Sequence, residues 1–179
     1  MHYHGNELQM CKFSIVLALV FVLFSTTLYG QEKQDEIKDN SSTVIIRPNG
    51  SIGYWSAGDI KGLSYTYGLK VLLLANDFQR YGLLIDHINI IADDKHSYLC
   101  MGLYIEQVVF KYFNMGIGTV GYINTINWGE NPFGLYTHLG FEYYFNKWFG
   151  VVANYRSEFI FRSSFTLNNA FSLEIGIKL

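Results

Sequence analysis

From residue 44 to the last residue, apolar side chains recur at every second position, and no stretch keeps helical spacing for three turns. The final nine residues, FSLEIGIKL, alternate without a fault. Phe171, Leu173, Ile175, Ile177 and Leu179 share one face, and Ser172, Glu174, Gly176 and Lys178 share the other. In KGLSYTYGLKVLLL, Leu63, Tyr65, Tyr67, Leu69, Val71 and Leu73 oppose Gly62, Ser64, Thr66, Gly68 and Lys70. Eight such segments are predicted as strands: 44–56, 61–75, 80–92, 97–111, 114–126, 133–145, 148–162 and 167–179. Pro48 interrupts the first, which suits an edge or a strand start. The third is almost wholly apolar except for Asp86, His87 and Asn89. Turn residues separate the segments, among them Asn76-Asp77, Asp93-Asp94, Asn127–Pro132, Asn146-Lys147 and Ser163–Asn169.

The segments run well beyond the five or six residues usual in globular proteins, and they match the length of tilted strands that cross a bilayer. Alternation alone does not say which face is inside. The polar faces decide it. In the fourth segment that face is Tyr98, Cys100, Gly102, Tyr104 and Glu106; in the sixth it is Tyr136, His138, Gly140, Glu142 and Tyr144. A water-facing surface would carry many Lys, Glu and Gln. A narrow lumen, filled by side chains in an eight-stranded barrel, takes small residues, tyrosines and a few paired charges. Leu99, Met101, Leu103 and Ile105, with Leu135, Leu139 and Phe141, would then meet lipid chains. A soluble periplasmic barrel of lipocalin type, with an apolar ligand in an apolar lumen, is the opposite arrangement of the same pattern.

Aromatic residues gather beside the turns: Phe78 and Tyr81, Phe113, Trp128 and Phe133, Phe145, Trp148 and Phe149, and Phe161. Aromatic girdles at both interfaces are the expected mark of a membrane barrel.

Ahead of the strands, Lys12 precedes the apolar run FSIVLALVFVLFS and the small residue Gly30, the order of a secretory signal. The run is too short to span a bilayer comfortably. Residues 1–30 are therefore expected to be a cleaved signal peptide, with Met10 as a second candidate start, and 31–43 a polar lead-in to a barrel domain at 44–179.

Charge changes little in this picture. Lys+Arg 13 against Asp+Glu 15 gives no basic excess for nucleic acid and no acidic run. Of two cysteines, Cys100 alone remains after cleavage, and by parity it points inward as a small packing residue.

The stretch LYTHLGFEYYFNKWFGVVANYR, followed by FSLEIGIKL, resembles the small Gram-negative outer-membrane β-barrel proteins. The resemblance covers the mature chain mostly as pattern. It implies that the terminal strand, Phe171 to Leu179, is read by the barrel-assembly machinery; Leu179 stands where those families usually end in Phe. It also implies periplasmic termini, with periplasmic turns near 76–79, 111–114 and 146–147 and short outer loops near 57–60, 92–96, 127–132 and 163–167.

Candidate chemistry is sparse. GIGTVG, Gly116–Gly121, matches a dinucleotide string, but no helical pattern follows, and alternating glycines in a strand instead admit bulky lumen neighbours. By parity the lumen holds Lys70, Asp86, Glu106, Glu142, Arg156, Glu158, Glu174 and Lys178, with acids in excess, read as a structural ion-pair network rather than a pore. His138 and Glu142 lie on one face about 13 Å apart, too far for a direct acid–base pair. No His-x-Ser string occurs, the local signature of lipid A deacylase barrels. Asp93, Asp94 and His96 share one loop, read as a solvated turn rather than a cation site.

The sequence thus predicts an all-β protein: an eight-stranded, antiparallel, up-and-down transmembrane barrel. Its expected role is non-enzymatic, structural support of the envelope, with no cofactor and no metal. Expected partners are outer-membrane lipids, lipopolysaccharide and the assembly machinery, not nucleic acid, and the barrel is expected to be monomeric. A lipid A-modifying barrel enzyme and the soluble lipocalin-like barrel are the alternatives.

Overall fold

A computed structural model describes residues 44–57, 60–75, 78–92, 95–126, 131–161 and 166–179. The predicted signal peptide and lead-in, Trp128, Asp93 and Asp94 lie outside the described residues. Eight strands follow one another: β1 (Val44–Ala57), β2 (Ile60–Leu74), β3 (Gln79–Ile91), β4 (Lys95–Val109), β5 (Phe113–Asn124), β6 (Phe133–Tyr144), β7 (Phe149–Phe161) and β8 (Thr166–Lys178). Each pairs antiparallel with its neighbour in sequence, and β8 pairs with β1 to close the barrel.

The registers fix the geometry. Stepping across paired residues from Val44 leads through Leu73, Tyr81, Ile105, Ile117, Thr137, Ser157 and Asn169. The path returns to β1 at Tyr54, ten residues above its start. Eight strands with a stagger of ten give a strand tilt of about 40° and a radius of about 8 Å, a bore that side chains fill. Pro48 is accommodated inside β1 rather than at an edge or strand start. It keeps its place opposite Leu69 of β2, while the β1–β8 ladder skips Arg47 and Pro48, as it must where the ring nitrogen has no hydrogen to give.

Alternation puts charge inside and hydrocarbon outside. Arg47, Lys70, Glu106, Arg156, Glu158 and Glu174 are wholly buried, whereas Ile52 is 70%, Leu103 67% and Phe171 71% exposed. A soluble barrel would reverse this, so the apolar-lumen alternative is excluded by the side-chain directions.

The two ends differ. The proximal end carries Val44 and the β2–β3, β4–β5 and β6–β7 turns; the distal end carries the other connections. In the β4–β5 turn, Phe110 and Lys111 both have positive φ, 54° and 64°. Phe110, Lys111 and Tyr112 form a three-residue connection between the paired Val109 and Phe113, with its first two residues in the left-handed region.

Candidate functional site

The lumen is the chain's main concentration of polar chemistry. Seven of the eight predicted lumen charges are buried there: Lys70, Asp86, Glu106, Glu142, Arg156, Glu158 and Glu174. Lys178 stands at the proximal mouth instead, partly buried, with Nζ 3.8 Å from the centre of the Tyr144 ring. Two arginines join the set that the sequence reading did not include, Arg47 and Arg80. The buried acids then exceed the buried Lys and Arg side chains by only one among the described residues.

The proximal half of the network is built on Glu106 and Glu142. Arg47 donates Nη1 to Glu106 (2.8 Å) and Nη2 to Glu142 (2.7 Å). Arg80 donates to both from the other side, at 2.6–2.7 Å. His138 Nε2 lies 3.1 Å from Glu106 Oε2. Lys70 pairs with Glu174, which also accepts from Asn154 at 2.7 Å. Higher in the lumen, Arg156 bridges Asp86 (2.6 Å) and Glu158, while Asn49 and Asn168 donate to the remaining carboxylate oxygens of that pair. These are charge-assisted bonds between groups removed from water, so each ion is tolerable only because its partners are present.

β5 supplies no charge. It supplies room: Gly116 lies under the His138 ring, and Gly118 against the backbone and Cβ of Tyr104. The glycine string therefore serves packing, as its strand context predicts. Cys100 is inward and fully buried, also as predicted.

Above the charges the lumen turns apolar. Trp55 stacks on Tyr98 at 5.5 Å between ring centres, and Tyr122 stands edge-on to both at 6.3 Å. Ile88, Ile90 and Ile160 complete this plug, all buried. Leu84, Ile88 and Ile90 enter the lumen on the same face as Asp86, because β3 is apolar on both faces.

Outside, Phe78, Tyr81, Phe113, Phe133, Phe145, Trp148, Phe149 and Phe161 are all exposed at the strand ends. Tyr112, Phe141 and Tyr143 thicken the proximal ring, where Tyr112 and Phe141 stack at 5.7 Å. Phe133 and Phe161 pair across β6 and β7 at the distal end. Of the residues of the predicted assembly strand, Phe171, Leu173 and Ile175 face outward and exposed, Ile177 is outward and half-buried, and Leu179 follows β8. Two polar groups interrupt this apolar wall. Thr137, Ser157 and Asn169 run across β6–β8, with Ser157 donating to Asn169 at 2.7 Å. His87 and Asn89 of β3 meet Ser97 of β4: Ser97 Oγ is 3.0 Å from His87 Nε2, and the Asn89 amide is 3.0 Å from His87 Nδ1. Among the described residues no cluster of three His, Cys, Asp or Glu is placed to hold a metal ion.

No family model and no curated protein matches the chain. Solved structures do. Neisserial surface protein A superposes with a TM-score of 0.62 at 11% identity, over 78% of this chain and 100% of that one. The N-terminal β-barrel domain of Pseudomonas aeruginosa OprF gives 0.52 at 13% identity, over 78% and 98%. Ail, the attachment invasion locus protein of Yersinia pestis, gives 0.50 at 10%, over 78% and 99%. With its closed eight-strand topology, inside-out burial and aromatic ends, the chain has the fold of the eight-stranded barrels of Gram-negative outer membranes.

Proposed function

We propose that this chain is a structural barrel of the outer membrane that supports envelope integrity, and that its lumen does no chemistry. One observation carries the reading: the bore is crossed by ion pairs proximally and by the Trp55–Tyr98–Tyr122 plug distally. Among the described residues every lumenal carboxylate is engaged with a cation or amide. The fold's likeness to outer-membrane barrels supports the location. In this reading the termini are periplasmic, the strand from Phe171 to Leu179 engages the assembly machinery, and the apolar wall meets lipid and lipopolysaccharide as a monomer.

The test joins location to role. The full chain is expressed in a Gram-negative host, outer membranes are isolated, and boiled and unboiled samples are compared on a detergent gel. The expected result is an outer-membrane protein that migrates faster unboiled. In the native host, deletion should raise sensitivity to detergents and bulky antibiotics, restored by the gene in trans. A soluble periplasmic protein, or a deletion with unchanged permeability, overturns the proposal.

A further inference from the structure

We propose that the outer wall of the barrel carries an acyl-ester hydrolase site, with Ser97 as nucleophile, His87 as general base and Asn89 as the residue that orients the imidazole. This goes beyond the structural reading, which concerns the lumen and stands or falls separately.

The geometry is that of a nucleophile, a base and an orienting group in series. Ser97 Oγ lies 3.0 Å from His87 Nε2, and the Asn89 side-chain amide lies 3.0 Å from His87 Nδ1. Both distances are within reach for proton transfer and for tautomer control. An asparagine in the third place is known chemistry for such series. As placed, Asn89 offers Nδ2 to Nδ1, which leaves the ring proton on Nε2. A half-turn of the amide presents Oδ1 instead, holds the proton on Nδ1 and frees Nε2 to accept from Ser97; the oxygen and nitrogen of an amide differ little in shape. Tyr67 packs on the imidazole at 5.1 Å between ring centres and limits its motion.

The place is as telling as the geometry. Nothing about the fold requires an imidazole beside a hydroxyl and an amide on a wall whose other polar side chains, Thr119, Thr137, Ser157 and Asn169, include no titratable group. Ser97 lies two residues, and His87 four, from the distal ends of their strands. With the rise and tilt of this barrel they sit about 5–10 Å below the distal end of the strands. That is the depth at which lipid acyl esters join the headgroups. Ser97 is 5% exposed and is covered by protein, while His87 and Asn89 beside it are half-buried, so an ester reaches the site along the His87–Asn89 side of the wall.

The step balances with water as the second reactant. His87 Nε2 takes the Ser97 proton as Oγ attacks the ester carbonyl. The tetrahedral adduct collapses to an acyl-serine, and the departing alcohol takes the proton back from His87. Water, deprotonated by the same imidazole, then attacks the acyl-serine, releases the fatty acid and restores Ser97.

The folded barrel, in detergent micelles, is treated with a long-chain alkyl fluorophosphonate and analysed by intact mass; hydrolysis of p-nitrophenyl laurate in the same micelles is followed alongside. Faster migration of unboiled samples establishes that each variant is folded. The expected result is one adduct on the wild type, mapped to Ser97, and a rate that falls at least about 100-fold in Ser97→Ala and His87→Ala. Asn89→Asp should retain most of the rate and Asn89→Ala should not. Ser157→Ala, which alters the other polar group on the wall, should leave adduct and rate unchanged. A folded wild type that takes no adduct, or that hydrolyses the ester no faster than Ser97→Ala, overturns the proposal and leaves the structural role intact.

Discussion

The imidazole of His138 lies across Gly116, its paired residue on the neighbouring strand, and fills the space where a Cβ would be. That position lets Nε2 reach Glu106. Gly116→Val should push the ring off Glu106 and strain β5 against β6. The expected cost is about 1–3 kcal/mol, read as a lower urea midpoint for unfolding from vesicles, with little change at Gly121→Ala, where the nearest atom to an added Cβ is 3.9 Å away.

Arg156 holds Asp86 and Glu158 together. Arg156→Leu leaves two carboxylates facing each other without their cation. The expected loss is about 3–5 kcal/mol and a lower unfolding temperature. Adding Asp86→Asn and Glu158→Gln in the same chain should recover part of it. No recovery would mean that the arginine acts through packing, not charge.

Trp55 and Trp148 occupy opposite sides of one wall: the first is wholly buried in the lumen, the second half exposed at the proximal girdle. In variants that keep one tryptophan, brominated lipid chains should quench Trp148 and leave Trp55 bright. Equal quenching would place the plug in contact with lipid and reject the side-chain directions described above.

Trp55→Ala should cost about 3–5 kcal/mol through the cavity it leaves. It should still show no steady conductance in planar bilayers, because the ion-paired layers below remain filled. A conducting variant would show that the aromatic plug alone seals the bore.

Lys111 adopts φ of 64°, a conformation that costs an ordinary residue about 1–2 kcal/mol. Lys111→Gly should therefore stabilise the folded barrel by about 1 kcal/mol, measured as a raised urea midpoint, and should not alter migration on a detergent gel.

Much of this was legible because strand alternation is local. The eight predicted segments match the observed strands to within two residues at each end, and the inward sets of β2, β4 and β6 are those the polar faces indicated. Arg47 escaped notice because it sits beside Pro48, where alternation reads as broken, and Arg80 because it opens a strand next to a turn. Neither contact partner could be read from spacing. Arg47 reaches Glu106 and Glu142 across the bore, 59 and 95 residues away, and which residues face one another there depends on the stagger of the whole barrel. His87 and Ser97 meet for a similar reason: they are diagonal neighbours across a hairpin, invisible to a motif that seeks them two residues apart.

The stagger of ten also acts as a proofreader. In-and-out alternation means that a closing strand displaced by one residue turns over completely. At the β1–β8 seam that error would send Arg47 into hydrocarbon and Ile46 into the midst of the carboxylates. Arg47 is the fourth residue of β1, so the guanidinium would lie near the proximal interface, where its transfer to lipid costs less than at the midplane, and most of the penalty comes from the carboxylates it leaves unpaired in the bore. The charges inside this barrel thus reject closure displaced by one residue, so that the ring shuts only in alignments that keep its ions out of the lipid.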